Sequence, residues 1–205
     1  MTIQLYLAYL LASVVVLIVP GPTVSLIIAN SLRHGARAGF LNIAGTQMGL
    51  AIMLGVLLLG LKTVMTLMGA WFDWIRIAGA LYLVWLGFKM MTAREEPAGV
   101  ETRARRPLDQ GFLWQGLGVA LSNPKMLLFF GAFIPQFIDA TRPYAPQVLL
   151  LALTFMALAV LLDGGYAVLA GRAGGWMTGR LRAAMSVASG AILIGGGIWL
   201  ALLRR

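Results

Sequence analysis

The stretch "VLIVPGPTVSLIIAN", residues 16–30, places two prolines and a glycine inside an otherwise unbroken apolar run. A proline within a helix removes one N–H donor and clashes with the carbonyl one turn earlier, which costs about 3 kcal/mol or more. The run around this interruption is long, because no charged side chain occurs from Ile3 to Leu32. The sequence therefore predicts an apolar helix that is interrupted at Pro20, Gly21 and Pro22, with its second half beginning near residues 22–24.

The composition is typical of a membrane protein. Of the 205 residues, 60% are hydrophobic and 11% are charged, against roughly 45–50% and 25% in soluble domains. Residues 38–61 and 183–203 form further runs without charge, and about 20 apolar residues suffice to cross hydrocarbon. The net charge of +9 does not indicate a nucleic-acid partner, because the basic residues lie between apolar runs and not on one face of a soluble domain.

The hydropathy pattern predicts an all-α membrane protein with six transmembrane helices. The predicted spans are residues 4–32, 38–61, 69–91, 112–138, 146–171 and 183–203. Residues 92–111 are predicted to be a loop, because this segment combines prolines, glycines and mixed charge. The loop divides a single transporter domain, residues 1–205, into two three-helix halves, 1–91 and 112–205, which enter the membrane from opposite sides.

The two halves are predicted to be inverted repeats. The first and fourth spans are the longest, and each has a proline interruption, "PGP" at 20–22 and "SNPK" at 122–125. Interrupted backbone is tolerated at membrane depth only where it is buried in protein or lines a wet cavity. In secondary transporters, interrupted helices at corresponding positions of two repeats mark the substrate site. The substrate-binding residues predicted on this basis are Pro20, Gly21, Pro22, Asn123, Pro124 and Lys125. Ser122 or Asn123 is suited to be the N-cap of the helical segment that starts at the second interruption.

The distribution of basic residues predicts the orientation. Ten basic residues follow the first, third and fifth spans: Arg33, Arg37, Lys89, Arg94, Arg103, Arg105, Arg106, Arg172, Arg180 and Arg182. Four lie on the opposite side: Lys62, Arg142, Arg204 and Arg205. Because cytoplasmic loops are enriched in lysine and arginine, residues 92–111 are predicted to be cytoplasmic.

Lys125 and Asp163 are the two ionisable residues deep inside the predicted spans. Intramembrane charges are costly and indicate a functional or paired role. One interpretation is a salt bridge that docks the fifth span on the fourth. In the other, Lys125 binds a substrate carboxylate, while Asp163 accepts an amine or a coupling proton.

The second span contains "NIAGTQMG", residues 42–49, in which Asn42 and Gln47 are further candidates for substrate binding. These side chains are equally suited to hydrogen bonds between helices. Glycines recur at intervals of about four residues along this part of the chain, which favours close helix packing, within one chain or across a homodimer. They are Gly35, Gly39, Gly45 and Gly49.

The residue types argue against metal and enzyme chemistry. The chain has no cysteine and one histidine, His34, so it offers neither thiolates nor a cluster of histidines to a metal ion. No span holds an evident nucleophile–base set, so an enzyme is not predicted. No cofactor is expected.

The chain resembles the LysE-type amino-acid exporters, in particular the threonine/homoserine exporter branch called RhtB. The resemblance rests on "PGPTVSLIIANSLRHGARAGFLNIAGTQMG" at 20–49, "LSNPKMLLFFGAFIPQF" at 121–137 and "DGGYAVLAGRAGGWM" at 163–177. It implies a bacterial inner-membrane exporter of amino acids or close derivatives, driven by the proton gradient. The motif positions include both interruptions, with Gln136 and Asp163 in addition. The residues alone leave two alternatives, a cation or metal exporter and a membrane scaffold that does not transport.

Overall fold

The computed structural model describes residues 1–59, 61–92, 105–139 and 141–202. Their side chains are described as well, except those of residues 61–73, 75–76, 105–110 and 182. The first half of the chain forms α1 (Ile3–Ile18), α2 (Pro22–His34), α3 (Ala36–Leu58) and α4 (Leu61–Thr92). The second half forms α5 (Arg105–Ser122), α6 (Pro124–Leu128), a π-helical turn (Phe129–Phe133), a 3-10 turn (Ile134–Phe137), α7 (Tyr144–Gly174) and α8 (Gly179–Leu202). The prediction of an all-helical chain is confirmed for the described residues.

Several of these helices have the length and apolar composition needed to cross a membrane. Single helices of this kind are α3, α7 and α8. Two bent pairs pass the same criteria: α1 with α2, at an angle of 49°, and residues 111–122 with 124–137, at 51°. The last part of α4, Ile77–Thr92, is a shorter apolar helix. Both predicted interruptions are therefore present as sharp bends between helical segments.

The helix bounds differ from the predicted spans mainly at polar ends. The helix α5 begins at Arg105 and not at residue 112, so residues 105–111 are helical where a loop was predicted. Hydropathy detects only the apolar part of a helix, whereas a polar first turn can extend beyond the hydrocarbon, and Pro107 is tolerated near a helix start. Residues 93–104, with the rest of the basic predicted loop, lie outside the described part of the chain.

Glycines allow the helices to pack at close range. On α3, a Cβ atom at Gly45 would collide with the Leu113 carbonyl of α5. Conversely, one at Gly116 of α5 would collide with the backbone of Asn42. Helices in lipid associate through such close backbone approach, because burial of apolar surface gives them no driving force there. The packing interpretation of the glycine stripe is thus confirmed at this contact.

Gly35 has a different role from the other glycines of the stripe. It ends α2 and begins α3, and its φ of 81° is in the left-handed region that favours glycine. Its N–H bonds the Ser31 carbonyl and closes the last turn of α2. Gly35 therefore permits the tight reversal between these helices.

Two larger apolar clusters form most of the interior of the described residues, beside a small one made of Ile27, Ile43 and Ala167. One joins α1, α3, α6 and α7 and includes an aromatic stack in which the rings of Phe129 and Phe155 lie 4.1 Å apart between centroids. The other joins α2, α4, α5 and α8 around Leu26, Leu83 and Leu193. The two segments that flank the first interruption, α1 and α2, thus pack into different clusters.

Candidate functional site

The first interruption is an extended link of three residues between α1 and α2. Val19 and Gly21 have extended backbone, and Pro22 is the first residue of α2. Proline is well suited to this position, because its missing N–H would have no partner in a first turn. The predicted start of the second half-helix near Pro22 is confirmed.

The link leaves carbonyls of α1 without their usual helical partners. In a continuous helix the Val16 carbonyl would accept from residue 20 and the Ile18 carbonyl from residue 22, but both of those residues are prolines. The Val16 carbonyl instead accepts from Lys125 Nζ at 3.0 Å, and the Ile18 carbonyl accepts from the Tyr166 hydroxyl at 3.2 Å. Lys125 Nζ also donates to the Val19 carbonyl at 2.8 Å. Donors from distant segments therefore replace the two that the prolines remove.

The second interruption is a single residue, Asn123, between α5 and α6. Its backbone is extended, and its Oδ1 accepts from the Lys125 N–H at 3.0 Å, which caps α6. Such a cap satisfies one of the free N–H groups of a first helical turn. Of the two predicted cap residues, Ser122 and Asn123, the structure has Asn123 as the cap, and Pro124 lies at the first position of α6.

A direct hydrogen bond joins the two interruptions. Asn123 Nδ2 donates to Thr23 Oγ1 at 2.7 Å, between two buried residues that are a hundred positions apart. Lys125 lies against the first link as well, because a Cβ atom at Gly21 would be 3.4 Å from both its Cε and its Nζ. The structure thus brings together the six predicted residues of the two interruptions.

Asp163 is buried in α7, with 3% of its surface exposed. Its Oδ1 is enclosed and accepts no hydrogen bond from any described residue. No salt bridge joins Asp163 to Lys125 within the described part of the chain, although the two charges are close enough to interact. The interpretation of this pair as a helix-docking salt bridge is therefore wrong, because the ammonium binds backbone carbonyls instead.

The structure places Asn42 and Gln47 in other contacts. Asn42 Oδ1 accepts from Asn30 Nδ2 at 2.8 Å, and Asn42 Nδ2 donates to the Phe112 carbonyl at 2.7 Å. Asn30 lies eight residues after Pro22 in α2, about 12 Å further along the helix. Gln47 Nε2 donates to the Met156 carbonyl of α7 at 3.3 Å. In this structure both side chains make hydrogen bonds between helices.

An apolar groove of about 490 Å³ opens beside Lys125. Its walls include Phe129 and Phe133 from the π-helical turn, Trp199 from α8 and Gln136. The groove thus combines one ammonium with aromatic walls, which suits a small amphipathic molecule. The described residues contain no group of three or more His, Cys, Asp or Glu side chains that could hold a metal ion.

Residues 14–204 match the family described as LysE type translocator. The chain belongs to the LysE type translocator family. This confirms the resemblance drawn from the sequence, and it makes the protein a membrane transporter and not an enzyme. An uncharacterized membrane protein of Vibrio cholerae is 33% identical to this translocator over 202 residues, which cover 98% of each chain.

Two further relatives of this translocator are named efflux proteins. The homoserine/homoserine lactone efflux protein of Salmonella typhi is 33% identical over 179 residues, which cover 87% of this chain and 86% of the relative. The leucine efflux protein of Klebsiella pneumoniae is 34% identical over 134 residues, which cover 65% and 63% of the two chains. No solved structure matches this translocator at a significant level.

Two residues at the interruptions of this translocator were not predicted from sequence, Thr23 and Tyr166. Tyr166 lies within the motif at 163–177, and Thr23 directly follows "PGP". Pro20 and Pro22 remove the helical donors to the Val16 and Ile18 carbonyls, and buried carbonyls need a partner. The sequence therefore predicts two donors from other segments. The sequence indicates that donors are needed, but not which segment supplies them.

Proposed function

We propose that this translocator is a secondary exporter of amino acids or close derivatives, with its substrate site at the two interruptions. The observation that carries the proposal is the hydrogen bond from Asn123 to Thr23, which holds the two interruptions against each other. Two interrupted helices that meet in this way are the arrangement in which transporters bind small charged substrates. The names of the efflux relatives support amino acids as the substrate class.

The packing supports six spans in two inverted repeats. If α1 with α2 is one span and α5 with α6 another, the spans pair as first with fourth, second with fifth and third with sixth. The helices α4 and α8 pack together, as do α3 and α7. The contact of α3 with α5 has its counterpart in the contact of α7 with α1 and α2. These contacts are thus retained when the two halves are exchanged.

The helix ends at the interruptions favour a zwitterionic substrate. The N-terminal ends of α2 and α6 carry partial positive charge and favour a carboxylate, whereas the C-terminal end of α1 favours a cation. Lys125 is placed to add positive charge for the carboxylate. Pro20, Gly21, Pro22 and Pro124 contribute by exposing the backbone.

Asp163 is the proposed proton-coupling residue. Its buried Oδ1, which accepts no hydrogen bond from the described residues, is suited to take up a proton or to approach the substrate ammonium. Asn42 and Gln47 remain predicted substrate contacts, and either would have to exchange its present bond to a backbone carbonyl. The proposed location is the bacterial inner membrane, with residues 92–111 cytoplasmic. A homodimer remains a prediction.

Transport into proteoliposomes tests this function. Purified translocator is screened for counterflow of amino acids and for accumulation driven by an imposed pH gradient. We expect Asp163→Asn to abolish pH-driven accumulation, because an amide cannot exchange a proton, while counterflow persists. Asp139→Asn is the matched control, since this carboxylate lies in the connection between the 3-10 turn and α7 and should leave both activities intact.

Two outcomes would contradict the proposal at different levels. If the wild-type protein moves no amino acid or derivative, the exporter function is wrong. If Asp163→Asn keeps wild-type accumulation under a pH gradient, the proton role of Asp163 is wrong while the exporter function stands.

A further inference from the structure

The C-terminal end of α1 forms a small cation site from backbone atoms alone. The Val16 carbonyl is free because residue 20 is a proline, and the Val19 carbonyl is free because the chain is extended beyond it. Both carbonyls lie within 3.0 Å of one nitrogen, Lys125 Nζ. Two carbonyls that converge at the negative end of a helix are well suited to a primary ammonium group.

The ammonium in this site belongs to a side chain that has room to leave it. Lys125 is half-buried, and the absence of a side chain at Gly21 keeps the space beside its terminal atoms open. The groove of about 490 Å³ begins at the same side chain. Asp163 offers a second negative group that forms no salt bridge with Lys125 in the present arrangement.

We propose that the Val16 and Val19 carbonyls are the binding site for the substrate's ammonium group, and that Lys125 occupies this site when no substrate is bound. This inference rests on the proposed exporter function and specifies its chemistry. The incoming ammonium replaces Lys125 Nζ at the carbonyls, and the displaced side chain then meets the substrate carboxylate. Lys125 therefore competes with the substrate ammonium. Without substrate, it keeps the Val16 and Val19 carbonyls hydrogen-bonded.

This arrangement defines the substrate class. A ligand must carry a free ammonium to displace Lys125, whereas a free carboxylate adds affinity but is not required. Amino acids and their esters qualify, and N-acylated amino acids do not. If the substrate were recognised mainly through its carboxylate, N-acylated amino acids would bind and esters would not.

The first test uses the unmodified protein in counterflow. For an amino acid that the wild type transports, its methyl ester and its N-acetyl derivative are compared as competitors. We expect the ester to inhibit and the N-acetyl compound to have no effect at the same concentration. Equal inhibition by both, or inhibition by the N-acetyl compound alone, would overturn the ammonium site while leaving the exporter function intact. Absence of any wild-type counterflow would overturn both.

The second test removes the competing charge and retains the shape of the side chain. The chain has no native cysteine, so Lys125→Cys can be alkylated at a single position. An S-aminoethyl group restores a lysine-like ammonium, and an S-propyl group of the same length leaves it neutral. We expect the propyl form to bind the ester about tenfold more tightly than the aminoethyl form, because two charge-assisted hydrogen bonds no longer have to be broken.

A matched control comes from a second lysine. Lys89 lies over the ring of Trp85, with Nζ 5.1 Å from the ring centroid, and the same two modifications of Lys89→Cys should give equal affinities. Equal affinity of the two Lys125→Cys derivatives for the ester would show that Lys125 does not compete with substrate and would overturn the proposal.

Discussion

The hydrogen bond between Asn123 and Thr23 can be tested by a double-mutant cycle. Asn123→Ala removes the cap of α6, worth about 0.5–2 kcal/mol, and leaves the buried Thr23 hydroxyl without this partner, at about 1–3 kcal/mol. The sum predicts that the free energy of unfolding falls by about 1.5–5 kcal/mol. Thr23→Val removes only the other partner of the same bond. The two substitutions together should therefore cost less than the sum of the single effects.

The coupling between the two residues measures the bond itself. Hydrogen bonds between membrane helices couple by about 0.6 kcal/mol on average and up to about 1.7 kcal/mol. Because this bond is short and buried, we expect about 1 kcal/mol or more. Equilibrium unfolding of the purified protein in mixed micelles, followed by tryptophan fluorescence, gives all four free energies.

A second threonine provides the control for this cycle. Thr46 is equally buried, but its hydroxyl donates to the Asn42 carbonyl within its own helix. Thr46→Val combined with Asn123→Ala should be additive. A coupling below about 0.5 kcal/mol between Asn123 and Thr23, the range in which unconnected sites add, would refute the view that this bond holds the two interruptions together.

Three further predictions concern packing, hydrogen bonding and pH. Gly116→Ala should destabilise the protein by about 1–3 kcal/mol through overpacking against α3, while Gly195→Ala, where a methyl group meets nothing within 4 Å, should be neutral in the same unfolding assay. Tyr166→Phe should cost about 0.5–1.5 kcal/mol, the net contribution of one hydrogen bond, because it removes the donor to the Ile18 carbonyl, and an unchanged free energy of unfolding would argue against that role. Hydrogen bonds from the Thr141 hydroxyl and amide hold the pKa of Asp139 in the folded protein below its ordinary value of 3.8. Ionised Asp139 therefore stabilises the fold fully above pH 3.8, and this stabilisation is lost as the pH falls through the lower pKa of the folded state. The melting temperature should accordingly drop less on acidification in Asp139→Asn than in the wild type, and identical pH profiles would contradict this.

Local signals predicted the interruptions well. The two prolines around Gly21 were sufficient to place the start of α2 at Pro22, and the proline after Asn123 indicated a cap and a new helix start. The glycine stripe predicted close packing of α3, which the structure has against α5. Each of these features depends on residues that are neighbours in sequence, where backbone sterics determine the outcome.

The partners across the interruptions could not be predicted in the same way. The sequence suggested Asp163 as a salt-bridge partner of Lys125, because opposite charges in apolar surroundings are expected to pair. Backbone carbonyls at the interruption bind the Lys125 ammonium instead. A pattern of charged residues does not reveal such partners, because backbone carbonyls carry no formal charge. The start of α5 at Arg105 was missed because hydropathy does not mark a helical turn made of polar residues.

The carbonyls at the first interruption accept hydrogen bonds from distant parts of the chain, and this affects the order of membrane insertion. The carbonyls of Val16 and Ile18 emerge early in synthesis, but Lys125 and Tyr166, which satisfy them, follow more than a hundred residues later. Until those residues arrive, the C-terminal end of α1 has two carbonyl groups that hydrocarbon cannot satisfy. The nascent protein must therefore keep the Pro20–Pro22 segment in contact with water or with the insertion machinery while the rest of the chain is being made. A ribosome-bound chain that ends before Lys125 should hold α1 and α2 only loosely in the bilayer, and these helices should become fixed there after α7 has packed against them.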